Sequence, residues 1–140
     1  MRPVARRAAG LLAIALLGAA VLVAVLSGTS SASPMRIQIT IHYSYYDPSR
    51  ITVPHGVPVT FVVVNTDPID HEWIVGDAAL QQRHRTGTEP VHNARPTEIT
   101  IPALTTRETT ITFDKPGVLQ YICHLPRHEE YGMVGWLTVT

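Results

Sequence analysis

The 140-residue chain contains one cysteine, Cys123, so no disulfide can close within it. Exported domains of this size often rely on paired cysteines, and a lone one raises the question of what else it does. No cysteine lies near the N-terminus, which argues against a lipid-anchored lipoprotein. The chain has no basic run, no internal repeat and no low-complexity tract. The lack of a basic run leaves no reason to expect nucleic-acid binding. From Met35 onward there is almost no helical periodicity, which argues against a helical bundle.

What is present begins with a leader. Residues 1–33 carry Arg2, Arg6 and Arg7, then an uncharged apolar run of 19 residues from Ala8 to Leu26, then a small polar patch with Ser30-Ser31-Ala32 as a cleavage site. This is the layout of a secretory signal. The run also approaches the roughly 20 residues that cross a bilayer, so residues 8–26 could equally remain as a membrane tether. In both readings the basic end stays inside and the rest is exported, to the periplasm, the medium or the outer face of the cytoplasmic membrane. The leader holds three of the eleven basic residues and none of the eleven acidic ones, so residues 34–140 are mildly acidic, with eight basic against eleven acidic side chains. Those 107 residues suffice for one domain with a real core.

The domain reads as strands broken by turn residues. In "RIQITIHY", Ile37, Ile39 and Ile41 alternate with polar residues, as a half-buried strand requires. "RITV", "VTFVVVN", "HEWIVG", "TEITI", "RETTITF", "VLQYIC" and "MVGWLTVT" continue the pattern, separated by "DPS", "PHGVP", "NTDPID", "PALTT" and "DKPG". Seven to eight short strands at this spacing predict an all-β, Greek-key antiparallel sandwich. Residues 77–96 interrupt it, with "AALQQRHR" as a short helix followed by loop. Tyr43, Tyr45, Tyr46 and Trp73 are expected to pack in the sandwich, and His42 and His55 to lie on the surface.

The chemistry gathers at the C-terminal end, in "YICHLPRHEEYGMVGWLTV". Cys123 closes one strand, Met133 opens the next, and His128 lies between them. His71 follows "NTDPID" at the start of a distant strand. A Greek-key sandwich collects loops of distant hairpins at one end, so His71 can meet the other three. Two imidazoles, one thiolate and a weak thioether are the ligand set of a mononuclear electron-transfer copper centre. Taken singly, each residue has a plainer reading: Cys123 as a small hydrophobe, Met133 as core, His128 as surface. Taken together and in this order they favour a metal. His124 should point away from the metal, because side chains alternate along an extended segment. His84 and His92 read as a solvated loop, with an auxiliary copper site as the sharper alternative.

The order His71 … Cys-x4-His-x4-Met resembles the cupredoxin (blue copper) family, and "HEWIVGD…FDKPGVLQYICHLPRHEEYGMVGWLTV" is similar to its exported bacterial single-domain members. The resemblance runs from about residue 36 to 140. It implies one copper ion, cycling between Cu(II) and Cu(I), held by His71, Cys123, His128 and, axially, Met133. It also implies a one-electron carrier, monomeric, with exported or membrane-bound redox proteins as partners. The chain departs from the family at three places. Glu72 stands where many relatives have an Asn that steadies the ligand loop, Arg127 where Gly is frequent, and Trp136 where Thr is frequent.

The rival reading is copper handling, meaning capture, storage or delivery without redox turnover, and the histidines at 84 and 92 support it. An enzyme is not expected. A single cysteine excludes a binuclear Cys-x3-Cys site, no second domain is present to host catalytic coppers, and Cys123 heads no helix that would activate it as a nucleophile.

Overall fold

A computed structural model describes residues 35–87, 92 and 95–140. The leader, with its two alternatives of cleavage and anchoring, lies outside the described residues. Nine strands and one helix follow in the order β1 (Met35–His42), β2 (Tyr45–Asp47), β3 (Arg50–Val53), β4 (Pro58–Asn65), β5 (His71–Gly76), α1 (Ala78–Arg85), β6 (Glu98–Ile101), β7 (Thr106–Thr112), β8 (Gly117–Ile122) and β9 (Val134–Val139).

The strands form two sheets, ordered β2-β1-β4-β7 and β3-β9-β8-β5-β6. Both are mixed, because β1 pairs with β4 in parallel and β3 with β9 in parallel. The sequence led to a purely antiparallel sandwich of seven to eight strands. Between β1 and β4 the chain visits the other sheet as β3, so it returns to the first sheet running in its original direction. Alternation along a strand reports its buried face but not the direction of its neighbour.

The core lies between the sheets. Ile39 and Ile41 of β1 and Val59, Phe61 and Val63 of β4 face Trp73 and Val75 of β5, Tyr121 of β8 and Leu137 and Val139 of β9. Trp73 is central, 4.8 Å from the Phe61 ring and 6.0 Å from that of Tyr121. Each such large side chain contributes about 1.5–3 kcal/mol by leaving water. Tyr46 and Trp73 are buried as expected, whereas Tyr43 and Tyr45 are 76% and 54% exposed. Tyr43 and Ser44 form the β1–β2 turn with positive φ, which takes Tyr43 off the alternating face.

The short helix over "AALQQRHR" is present. Asp77 caps it, accepting a hydrogen bond from the Leu80 amide. Its inner residue is polar. Gln81 is fully buried and donates to the carbonyls of Ile74 and Gln120, clipping α1 onto β5 and β8.

Candidate metal centre

The antiparallel pairing of β5 with β8 and of β8 with β9 brings the start of β5, the end of β8 and the start of β9 to one end of the sandwich. His71 is the first residue of β5, Cys123 follows β8, and Met133 precedes β9. One ligating atom each from His71, Cys123 and His128 lie within 4.8 Å of one another. The Cys123 Sγ and His128 Nδ1 atoms are 3.2 Å apart, and the His71 and His128 ring centroids 5.0 Å. His71, Cys123 and Met133 are fully buried, while His128 is half-buried. Met133 is tied to the cluster through its backbone: its amide donates to the His128 carbonyl, and its carbonyl accepts from the Cys123 amide.

The tautomer of His71 follows from its partner. Its Nε2 lies 2.9 Å from Oδ2 of Asp67, so Nε2–H donates to the carboxylate and Nδ1 carries the lone pair. That Nδ1 is buried and has no hydrogen-bond partner among the described residues. A carboxylate that orients an imidazole from behind is the usual support of a metal-bound histidine. Asp67 is itself fixed, accepting from the Tyr43 and Ser44 amides at 2.7 Å each. Burial pushes its carboxyl up, but those two amides and His71 together outweigh it and hold the group below its ordinary value. Asn65 completes the frame, taking the Asp67 amide on its oxygen and donating to the carbonyls of Ile69, Ile101 and Pro102.

Burial dominates the protonation of the cluster. It pushes the Cys123 thiol up to about 12, against the amides of Glu72 and Leu125, which favour the thiolate. It also lowers His71, against Asp67, and His128, where the neighbouring His71 adds to the effect. Both imidazoles are thereby kept neutral, as ligation requires.

Two of the three departures from the family pattern, at Glu72 and Arg127, have a physical account. Glu72 supplies a link to the ligand loop of its own: its amide donates to Cys123 Sγ at 3.3 Å, and its carboxylate accepts from the His124 amide. Arg127 has φ of 71°, the left-handed conformation that glycine adopts without strain. Trp136 is 39% exposed on β9. The loop from Cys123 to Met133 is braced from outside by α1. Arg85 makes a forked ion pair with Glu129, and Gln81 accepts from His124 Nε2 at 2.7 Å. His124 is therefore turned away from the Cys123 cluster, as alternation predicted, with its side chain 5% exposed. Burial first, helped by His84, Arg85 and His92 and opposed by Glu129, holds its imidazole down at about 4.

His92 is the clearest correction. The sequence reads it as part of a solvated loop, yet it is 6% exposed and is pinned to β6 by Thr100, whose hydroxyl accepts from the His92 amide and whose amide donates to the His92 carbonyl. His84 is half-buried beside it. His42 and His55 are exposed. Asn65, Asp67 and Gln81 were missed as functional residues. The signal for the first two was available: paired Asx residues in "NTDPID" immediately before a candidate ligand can hold both a turn and an imidazole.

Two packed sheets with a histidine–cysteine–histidine cluster at one end, His71 and Cys123 buried and His128 half-buried, are the features of the blue copper class. Residues 13–139 match the family described as a cupredoxin-like domain, and the chain belongs to that family. It is similar to the copper-resistant cuproprotein CopI of Rubrivivax gelatinosus, 33% identical over 97 residues that cover 67% of this chain and 59% of the relative. The CopI of Pseudomonas aeruginosa is 27% identical over 135 residues, covering 74% of this chain and 75% of the relative. The chain thus spans 59% of the length of the first of these relatives. Among solved structures, auracyanin A, a blue copper protein from Chloroflexus aurantiacus, superposes with a TM-score of 0.61 at 25% identity, over 77% of this chain and 100% of that one. The chain's cofactor is copper. The residues fit it: a soft sulfur and two neutral imidazoles within 4.8 Å of one another, one of them with a buried and unpartnered Nδ1, suit both oxidation states.

Proposed function

We propose that the chain is an exported copper protein whose His71–Cys123–His128 centre, with Met133 as axial thioether, carries single electrons between redox proteins outside the cytoplasm. When bound, copper supplies the Cu(II)/Cu(I) couple. The chain's residues supply a fixed frame: Asp67 orients His71, the Glu72 amide bonds Cys123, and Met133 is tied through the backbone to both Cys123 and His128. One observation carries the reading: the Nδ1 of His71 stays buried and unpartnered beside a thiol and a second imidazole, within hydrogen bonds already made. A frame held this firmly lets the centre change charge with little movement. The half-buried His128 is the route to a partner. No catalytic role is assigned, and the domain acts as a monomer.

A second reading, copper handling, is favoured by a separate observation: two of the most similar relatives are named copper-resistant cuproproteins. Voltammetry of the copper-loaded protein separates the two. A carrier gives a reversible one-electron wave with copper retained through many cycles, and Met133→Leu raises the potential because a hydrocarbon donates nothing to Cu(II). Loss of copper to a chelator on each reduction would instead establish handling.

A further inference from the structure

Behind the Cys123 cluster lies a cavity of about 620 Å³, lined among others by Glu72, His84, His92, Glu98 and His124. Its walls come from the start of β5, the end of α1, the start of β6 and the residue after Cys123. One ligating atom each from His84, His92 and Glu98 lie within 4.8 Å of one another.

We propose that His84, His92 and Glu98, with the carboxylate of Glu72 beside them, form a second metal site for a divalent first-row ion. The spacing is that of ligands around one ion. His84 Nε2 lies 3.5 Å from Glu98 Oε2, and His92 Nε2 lies 3.4 Å from Glu72 Oε1. Nitrogen and oxygen ligands bound tetrahedrally at their usual bond lengths sit about 3.3–3.5 Å apart. The tautomer points the same way. His84 Nδ1 lies 3.0 Å from the Leu80 carbonyl, so Nδ1–H donates to it and Nε2 turns a lone pair toward the Glu98 carboxylate. Two electron-rich atoms facing each other are bridged either by a proton on His84 Nε2 or by a metal cation, and the neighbouring His92 and Glu72 atoms supply the further ligands that a metal takes.

The remaining atoms are held as a metal site requires. Arg95 bonds Glu98 Oε1 and leaves Oε2 to the cavity. The Glu72 Oε2 atom accepts from the His124 amide and leaves Oε1 beside His92. His92 is fixed by Thr100. Two carboxylates and two imidazoles neutralise a divalent ion. Nitrogen with carboxylate oxygen and no sulfur suits Cu2+ or Zn2+, and Cu2+ binds such sets most tightly. This site stands apart from the proposed electron carriage, since it uses neither Cys123 nor His128. The two sites adjoin all the same: Glu72 and His124 each follow a residue of the first cluster, and the His84 ring stacks on His124 at 5.6 Å.

The test uses the full chain carrying Cys123→Ser, which removes the thiolate site. Titrated with Cu2+, it should still bind one ion without an intense visible band and with an electron paramagnetic resonance signal of nitrogen and oxygen ligation. Adding His84→Ala with His92→Ala should weaken that binding by at least about tenfold. The milder Glu98→Gln, checked for an unchanged fold by circular dichroism, should weaken Cu2+ and Zn2+ binding alike. Failure of the Cys123→Ser protein to bind Cu2+, or undiminished binding in folded Glu98→Gln and His84→Ala/His92→Ala proteins, would overturn the proposal. Neither failure touches the coloured thiolate centre, which is read on the unmodified chain.

Discussion

Replacing Asp67 with asparagine tests how the copper centre is held. The carboxylate accepts three hydrogen bonds, from the amides of Tyr43 and Ser44 and from His71 Nε2–H, and its side chain is 7% exposed. An asparagine of the same shape has one oxygen. At least one of the three donors must then face an NH2 group, and an unsatisfied buried donor costs about 1–3 kcal/mol. The other bonds lose their charge assistance, about 1 kcal/mol more. Asp67→Asn should therefore lower the stability of the metal-free protein by about 2–4 kcal/mol. It should also weaken copper binding by about 10–100-fold, as removing the support of a metal-bound imidazole does. Urea unfolding of the metal-free chain, with an unchanged slope, reads the first quantity. Competition against a chelator of known affinity reads the second. The stability gap also depends on pH. Because the folded-state carboxyl lies below its unfolded value, its stabilisation is present above about pH 4 and fades as pH falls through the folded value. A variant with native copper affinity would refute the claim that Asp67 sets the His71 tautomer.

Three other perturbations address the frame. Gln81→Leu leaves the Ile74 and Gln120 carbonyls and the His124 N–H without their partner, and should cost about 2–4 kcal/mol in urea unfolding. A Cβ at residue 135 would sit 2.0 Å from the Tyr121 ring, which is pinned by its hydroxyl to the Pro48 carbonyl, so Gly135→Ala should cost about 3 kcal/mol in a thermal melt. The buried His124, held at about 4, stays neutral in the fold while its unfolded counterpart protonates below about 6.5. The metal-free protein should accordingly lose stability from this residue as pH falls from 6.5 to 4, and His124→Gln should flatten that slope.

Much of this architecture was legible. Ile39, Ile41, Phe61 and Leu137 alternate with outward residues and mark their strands, and the spacing of Cys123 and His128 within one strand–loop–strand junction, with His71 at the start of a distant strand, pointed to the cluster. What escaped depends on contacts between segments distant in sequence. The parallel pairing of β1 with β4 depends on the path through the other sheet. Burial of His92 depends on Thr100, and burial of Gln81 on two carbonyls of different strands. Polar composition made His92 look solvated and left Gln81 unmarked, and only their partners make them part of the interior. Tyr43 and Tyr45 failed in the opposite sense, as aromatic residues spent on a tight turn and a three-residue edge strand.

The central claim is that Cys123 ligates copper with His71 and His128. The visible absorption spectrum of the full chain loaded with one Cu2+ tests it most directly. An intense thiolate-to-copper charge-transfer band, abolished by Cys123→Ser because a serine hydroxyl stays protonated at neutral pH, is the expected result. A colourless protein, or a serine variant of equal colour, would contradict it.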